Sequence, residues 1–473
     1  MNQPLRKLTV IVVILFLMLM GALSYIHFFQ APSLNADGRN VRTIYQEYGT
    51  DRGSIVVAGE PIADSVPAKG RYKFQRRYAD GPLYAPITGY FSVAYSSLTG
   101  LERSQNSVLN GADSSLLTQR IQELITGKQP RGGSVALTIN PKAQKAAAEA
   151  LAGRTGAVVA IEPTTGKILA LVSSPSFDPN QLASHTYATA EKAWDSYQAD
   201  KNNPLLNRAI GGDLYPPGST FKIITASAML ESGLTPDSLV DAPTAYTLPG
   251  TNTQVRNAVG VCGDGSGKAT LRTALVLSCN TTFAAGGVKV GAQKLLDKAK
   301  LYGFGQDLDI GMPTRASRFP QPADQAALAL DSFGQKDIQA SPLQMAMVAA
   351  AVANHGTLMK PYLVDQTLTA DLAVVAQTTP TVFSEPISRT TADQLTSMMK
   401  DVVSHNPSAA VAGVNTAGKT GTAENSGDNH AWYIGFEAAE KSRVAVAVFV
   451  EHGGTGGVTA APIAAQVIQA ATS

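Results

Sequence analysis

At 473 residues the chain is long enough for two or three domains, and 44% hydrophobic residues with 42 glycines describe a folded protein with a sizeable core rather than a disordered one. A formal charge of +2, with no basic block beyond pairs such as Arg76-Arg77, excludes nucleic acid as a partner class. No His, Cys, Asp or Glu spacing suits a metal, and nothing calls for a cofactor.

Residues 8–29 are mostly apolar, with Tyr25 and His27 their only ionisable members, which is enough to cross a bilayer as a helix. Arg6 and Lys7 precede the run and no full charge follows until Asp37, so the positive-inside rule places the N-terminus in the cytoplasm and the bulk of the chain outside. Ala22-Leu23-Ser24 faintly resembles a cleavage site, but the apolar run continues past it, so retention as an anchor over residues 1–30 is expected. Cys262 and Cys279, 17 apart, therefore lie where a disulfide can persist. Their spacing leaves open a bridge or two separate small apolar side chains.

Residues 31–152 are mixed and polar, with short strand-like runs at 53–57, 72–75 and 89–95 among many Gly and Pro interruptions. They hold no nucleophile arrangement and read as a non-catalytic pedestal. A strand at 135–139 and an alanine-rich helix at 141–152, with Pro at its first position, form the joint to a second domain over 153–473. That domain opens with two apolar strands, 156–161 and 167–172, around the turn Glu162-Pro-Thr-Thr-Gly166. Apolar helices are expected at 219–232, 340–353 and 390–403, then strands at 415–423, 431–436 and 444–450, and a last helix at 461–471. Strands at both ends with helices between them predict an α+β domain whose one antiparallel sheet joins its first and last segments.

The chemistry gathers around Tyr215-Pro-Pro-Gly-Ser-Thr-Phe-Lys222. Pro216, Pro217 and Gly218 end what precedes them, and Ser219 suits a helix start, so Ser219 and Lys222 share one face at the positive end of the helix dipole. Ser-x-x-Lys alone is weak, since it recurs at Ser397 and Lys400. Downstream come Ser278-Cys279-Asn280, ending a helical run from Leu271, and Lys419-Thr420-Gly421-Thr422 in the first C-terminal strand. Ser-x-Asn also occurs at Ser33, Ser104 and Ser404, where a loop triplet explains it, whereas Lys-Thr-Gly occurs once. A competing set, Ser397, Ser404-His405-Asn406 and Lys419, is compressed into one short helix and its flank and has no Pro-Pro-Gly entry, so Ser219 is the expected nucleophile. Glu424 and His430, just after the Lys-Thr-Gly strand, read as hairpin residues.

The ordered set resembles the signature of penicillin-binding proteins and class A β-lactamases. The anchor, Arg52-Gly53-Ser54-Ile55, Gly156-Ala-Val-Val-Ala-Ile161, Thr165-Gly-Lys-Ile-Leu-Ala170, Ser332-Phe-Gly-Gln335 and Lys419-Thr-Gly-Thr-Ala423 make the chain similar to class B penicillin-binding proteins, and most to the actinobacterial penicillin-binding protein A group. Many relatives follow Arg-Gly-x-Ile with an Asp-Arg-Asn-Gly-like turn. This chain has Val56-Val-Ala-Gly-Glu60 there, which bears on the pedestal alone.

The resemblance implies the serine penicillin-recognising transpeptidase fold, an antiparallel sheet flanked by helices with an all-helical subdomain, behind a dimerisation-like pedestal and a transmembrane helix. It also implies that Cys262 and Cys279 pair beside the site. The activity implied is D,D-transpeptidation of peptidoglycan stem peptides through a Ser219 acyl-enzyme, with β-lactams as covalent inhibitors. Ser219 needs a base, which Lys222 supplies if burial beside Lys419 keeps it neutral. By resemblance, Ser278 relays a proton to the leaving amine, Asn280 holds the substrate amide and the lysine, and Lys419 with Thr420-Gly421-Thr422 binds the substrate carboxylate. The backbone N–H groups of Ser219 and Thr422 form the oxyanion hole. About 120 residues separate anchor from catalytic domain, too few for a glycosyltransferase domain, which implies a separate membrane glycan polymerase as partner. A D,D-carboxypeptidase using water as acceptor, a β-lactamase and a non-catalytic envelope scaffold are the rival readings.

Overall fold

The apolar N-terminal run is helical. In the computed structural model, which describes residues 2–30, 48–70, 72–425 and 427–473, helix α1 runs Asn2–Tyr25 and passes into a π-helical turn at Ile26–Gln30. Its 23 residues from Gln3 to Tyr25 are long and apolar enough to cross a membrane, and none is buried against protein. The chain divides into two units, residues 1–51 with 66–75 and residues 52–65 with 76–473, and the hydrophobic core lies in the second.

Strand β1 (Ile55–Val57) turns into β2 (Glu60–Pro67) with Val57 opposite Glu60, through Ala58 and Gly59 at φ 50° and 87°. Val56-Val-Ala-Gly-Glu60 thus builds a two-residue hairpin whose central positions are both left-handed, the geometry that matches strand twist. Just before the strand Gly53 is wedged against neighbouring backbone: a Cβ there would lie 1.7 Å from the Gly133 carbonyl oxygen. Buried Arg52 anchors this corner, its Nε donating to Glu102 Oε2 at 2.5 Å and its Nη1 to Asn106 Oδ1 at 2.6 Å, while Arg76 Nε donates to Glu102 Oε1 at 2.6 Å. Strand β3 is Phe74–Tyr78. Residues 89–95 form only the two-residue ladder Phe91–Ser92 with Ser97–Leu98. Before it the chain makes helix α2 (Gly81–Thr88), where Pro82 occupies the first turn, the one part of a helix that needs no N–H from it.

Helix α3 (Leu117–Thr126), strand β4 (Ser134–Leu137) and helix α4 (Pro141–Leu151) come next, the last capped by the Asn140 side chain, which accepts from the Lys142 and Ala143 amides. Strands β5 (Gly156–Ile161) and β6 (Ile168–Ser174) pair antiparallel. Helices α5 (Lys222–Glu231), α6 (Asn280–Val290) and α7 (Pro342–Ala353) then accumulate, with two short ladders, Leu239–Asp241 on Lys268–Thr270 and Ala245–Thr247 on Gln254–Arg256, beside them. Strands β7 (Val364–Leu368) and β8 (Val374–Gln377) return to the pedestal, giving a sheet of order β8-β7-β4-β1-β2-β3. After helix α8 (Arg389–His405) come β9 (Thr416–Ala423), β10 (His430–Glu437), β11 (Ala445–Val450) and helix α9 (Gly456–Thr472).

The second sheet, β9-β10-β11-β5-β6, is antiparallel throughout and joins the first and last segments of the domain. Its strands read as near-continuous apolar runs because both faces are covered. Ala157, Val159 and Ile161 face the core that holds α5 and α7, while Val158 and Ala160 face α4 and α9. Every residue of α7 is buried, as a helix apolar all round requires. Strand β9 lies at the sheet edge.

Candidate active site

Ser219 sits inside one 3-10 turn, Gly218–Thr220, so the α-helix begins at Lys222 rather than at Ser219 as the motif alone implied. Gly233, at φ 98°, closes it in the left-handed conformation. Glycine is required at the turn on both sides of a close approach. The Gly218 amide donates to the Gly334 carbonyl at 2.9 Å, and a Cβ on Gly334, itself at φ 83°, would lie 2.0 Å from the Gly218 oxygen. Ser332-Phe-Gly-Gln335 is thus the backing of the nucleophile turn, and the Ser332 carbonyl accepts from Thr225 Oγ1 of α5 at 2.7 Å. Gly334→Ala is expected to push the turn out of place and slow acylation by a β-lactam at Ser219. Stopped-flow acylation read beside the melting temperature separates that loss from unfolding.

Lys222 and Lys419, both fully buried, meet over one hydroxyl. Lys222 Nζ lies 2.7 Å from the Ser278 carbonyl, 2.7 Å from Asn280 Oδ1 and 3.2 Å from Ser278 Oγ; Ser219 is not among its partners. Lys419 Nζ donates to the same Ser278 Oγ at 2.9 Å and to the Thr420 carbonyl at 2.9 Å. Burial pushes the Lys222 amine well below the ordinary lysine range, and the Lys419 charge adds to the shift. Burial alone brings Lys419 down to about 7. The rings of Phe283 and Phe333 stand 5.6 and 5.9 Å from Lys222 Nζ and supply part of that apolar wall.

Ser278 and Asn280 come from the junction between the helix Leu271–Val276 and α6, not from the end of one helix. Ser278 is at φ 56°, a left-handed conformation uncommon for a non-glycine residue and a frequent mark of a functional position. Cys279 stands just before α6 and is joined to Cys262 in a disulfide, with both cysteines buried. Asn280 Nδ2 donates to the Arg256 carbonyl at 3.2 Å, which fixes the amide so that Oδ1 faces Lys222.

In β9 Lys419 and Gly421 lie on one face, and Thr420 and Thr422 on the other. A Cβ on Gly421 would meet Thr220 Cγ2 at 2.9 Å, so the strand can approach the nucleophile turn only as glycine. The Thr422 carbonyl faces that turn too, since a Cβ on Gly218 would lie 2.7 Å from it, and Gln335 Nε2 reaches it at 3.5 Å. A strand residue points its N–H and C=O to the same side, so the Thr422 amide also faces Ser219. The open edge of β9 therefore runs past the serine.

A penicillin-binding protein transpeptidase domain model matches residues 156–469, and a penicillin-binding protein A dimerisation domain model matches residues 52–135. The chain belongs to the penicillin-binding protein transpeptidase family. Within that family it is 42% identical to the peptidoglycan D,D-transpeptidase PbpA of Mycolicibacterium smegmatis, over 100% of this chain and 99% of that protein, and equally to PbpA of Mycobacterium tuberculosis with the same coverage. Its fold superposes on M. tuberculosis penicillin-binding protein A in a ceftriaxone acyl-enzyme complex with a TM-score of 0.88, at 42% identity over 91% of this chain and 100% of that one.

The transpeptidase fold also separates the two Ser-x-x-Lys copies. Ser397 and Lys400 lie on the exposed face of α8, where Ser397 Oγ accepts from Arg272 Nη1 at 3.0 Å. His430 opens β10 opposite Ala423, its Nδ1 accepting from the His452 amide at 3.1 Å, and Glu424 is exposed beyond the strand. Sequence reasoning missed the support of the turn from below. Tyr215, two residues before Pro217, donates its hydroxyl to Glu451 Oε1 at 2.5 Å, Arg208 Nε donates to the same oxygen at 2.8 Å, and the Tyr215 ring lies 4.0 Å from that of Phe449. A tyrosine before two prolines was the available signal.

Proposed function

We propose that the chain is a membrane-anchored peptidoglycan D,D-transpeptidase in which Ser219 is the nucleophile and Lys222 its base. The observation that carries the assignment is the Ser278 hydroxyl shared by two buried lysines. With Lys419 charged and Lys222 neutral the contacts acquire a direction: Lys419 donates to Ser278 Oγ, and the Ser278 hydroxyl donates to Lys222 Nζ. For the reaction Ser219 Oγ takes the place of Ser278 Oγ at the same lone pair, a side-chain motion on the picosecond-to-nanosecond scale.

Ser219 Oγ attacks the carbonyl carbon of the penultimate D-alanine while its proton passes to Lys222. The tetrahedral oxyanion lies between the Ser219 and Thr422 amides. The C–N bond to the terminal D-alanine breaks as a proton reaches its nitrogen through Ser278. The acceptor amine then attacks the ester, gives its proton to Lys222, and restores Ser219. The Thr422 hydroxyl, on the other face of β9, bonds the terminal carboxylate and Lys419 attracts it by its charge, Asn280 holds the substrate amide, and Thr420 contributes the carbonyl that steadies Lys419. The β9 edge receives the stem peptide as an added strand.

Residues 1–30 serve as cytoplasmic tail and anchor, 31–152 as pedestal and 153–473 as catalytic domain, with β7 and β8 lent back to the pedestal sheet. The placing of the two family matches on either side of 152 supports this division. Arg6 and Lys7 orient the anchor with the catalytic domain outside, and a separate membrane glycan polymerase supplies the strands to be linked. Incubated with a pentapeptide-stem donor and a stem bearing a free amine, the purified chain is expected to yield cross-linked dimer and one D-alanine per link, both blocked by penicillin. Trimmed tetrapeptide without dimer would instead make it a carboxypeptidase, and no product at all would make it a scaffold.

A further inference from the structure

Helix α3 is amphipathic the wrong way round. Leu117, Ile121, Leu124 and Ile125, spaced i, i+4, i+7 and i+8, form one stripe and are 55, 48, 78 and 81% exposed. The opposite face turns its polar groups inward. Glu123 is 5% exposed and accepts from Gln119 Nε2 at 2.9 Å, while Gln119 Oε1 accepts from the Ala370 amide at 3.0 Å. Leu372 and Val374, at the β7–β8 turn whose Ala370 amide meets Gln119, are also 51 and 59% exposed. A stripe of this size, turned outward by buried polar contacts, marks an interaction surface.

Charge selects the occupant. Arg120 and Lys128, beside the stripe, are exposed and make no ion pair among the described residues, whereas the nearby acid Asp371 is already paired with Arg131 at 2.8 Å. A two-fold pairing of stripes between copies would bring the same cations together with no free acid on the face to meet them. The tether points the same way. Only 17 residues, 31–47, lie between the N-terminal helical segment and Tyr48, a reach of about 60 Å even if fully extended. A chain tethered to the bilayer presents its exposed apolar surfaces to lipid at high effective concentration.

We infer that α3 is an interfacial helix that lays its Leu117, Ile121, Leu124 and Ile125 stripe into the headgroup region of an anionic lipid surface, with Arg120 and Lys128 on the lipid phosphates. The contact gives the pedestal a second hold on the membrane. It rests on the anchoring of the chain by α1.

Cys262 and Cys279 are bridged, so Leu124→Cys in the full chain introduces a single thiol for a polarity-sensitive nitrobenzoxadiazole label, with penicillin labelling as the check on folding. In vesicles of phosphatidylcholine and phosphatidylglycerol the label is expected to shift to the blue and to be quenched by brominated lipid. The shift and the quenching should both be lost when Arg120→Glu and Lys128→Glu are added. A label at Val458→Cys, exposed on α9, should stay water-like. Water-like emission from Leu124→Cys in protein that still floats with the vesicles would overturn the inference alone. A blue shift without lipid quenching would assign the face to a protein, a second copy included, and overturn it too. Protein that does not float would remove the anchor and the inference together.

Discussion

Ser219→Ala is expected to abolish covalent attachment of a labelled penicillin, and Ser397→Ala to leave it unchanged. Acylation needs an oxygen nucleophile that can reach a base and an oxyanion site at once. Ser219 stands on a turn fixed by Gly334 on one side and approached by Gly421 on the other, next to the facing Thr422 amide. Ser397 has neither neighbour. Its hydroxyl is held by Arg272, which also pairs with Asp401, and Lys400 is exposed on the same helix face. Loss in the first variant should be complete, because no other hydroxyl replaces the one removed. Gel fluorescence after denaturation, with the melting temperature as control, reads the result. Labelling that survived Ser219→Ala would defeat the assignment.

The same pair shows how far the sequence could be read. The strand carrying Lys419 and Gly421, the two strands after it and the one sheet joining first and last segments were legible because strand periodicity and a single Lys-Thr-Gly leave few alternatives. The Pro-Pro-Gly entry told the two serines apart, since breakers act locally. What was not legible depended on contacts distant in sequence. Nothing in Ser278-Cys279-Asn280 announces that Ser278 leaves the helix at φ 56°, because the left-handed position is occupied by serine where glycine would have signalled it. Residues 81–88 escaped as a helix because Pro82 and Pro86 read as interruptions, although the first is harmless at a helix start. The β7 and β8 strands join a sheet whose other members are over 200 residues earlier, a pairing no local pattern encodes.

Removing Lys222 should cost about 10²- to 10⁴-fold in acylation rate, the usual worth of a positioned general base. The more telling readout is the pH profile. Burial and the Lys419 charge hold the Lys222 amine well below the ordinary lysine range, so the neutral base accumulates as pH rises and acylation should climb through its titration. Lys419, brought down to about 7 by burial, loses charge on the alkaline side and with it the grip on the substrate carboxylate. The second-order acylation rate is therefore expected to be bell-shaped, its falling limb near 7 in the free enzyme. A bound carboxylate favours the charged amine, so under saturating substrate that limb should move to higher pH. Lys419→Arg keeps a charge that does not titrate and should flatten the alkaline limb while weakening binding by geometry. Lys222→Ala should remove the rising limb and leave a low rate that falls only on the alkaline side, where Lys419 loses its charge. A rising limb that persisted in Lys222→Ala would mean another group takes the Ser219 proton.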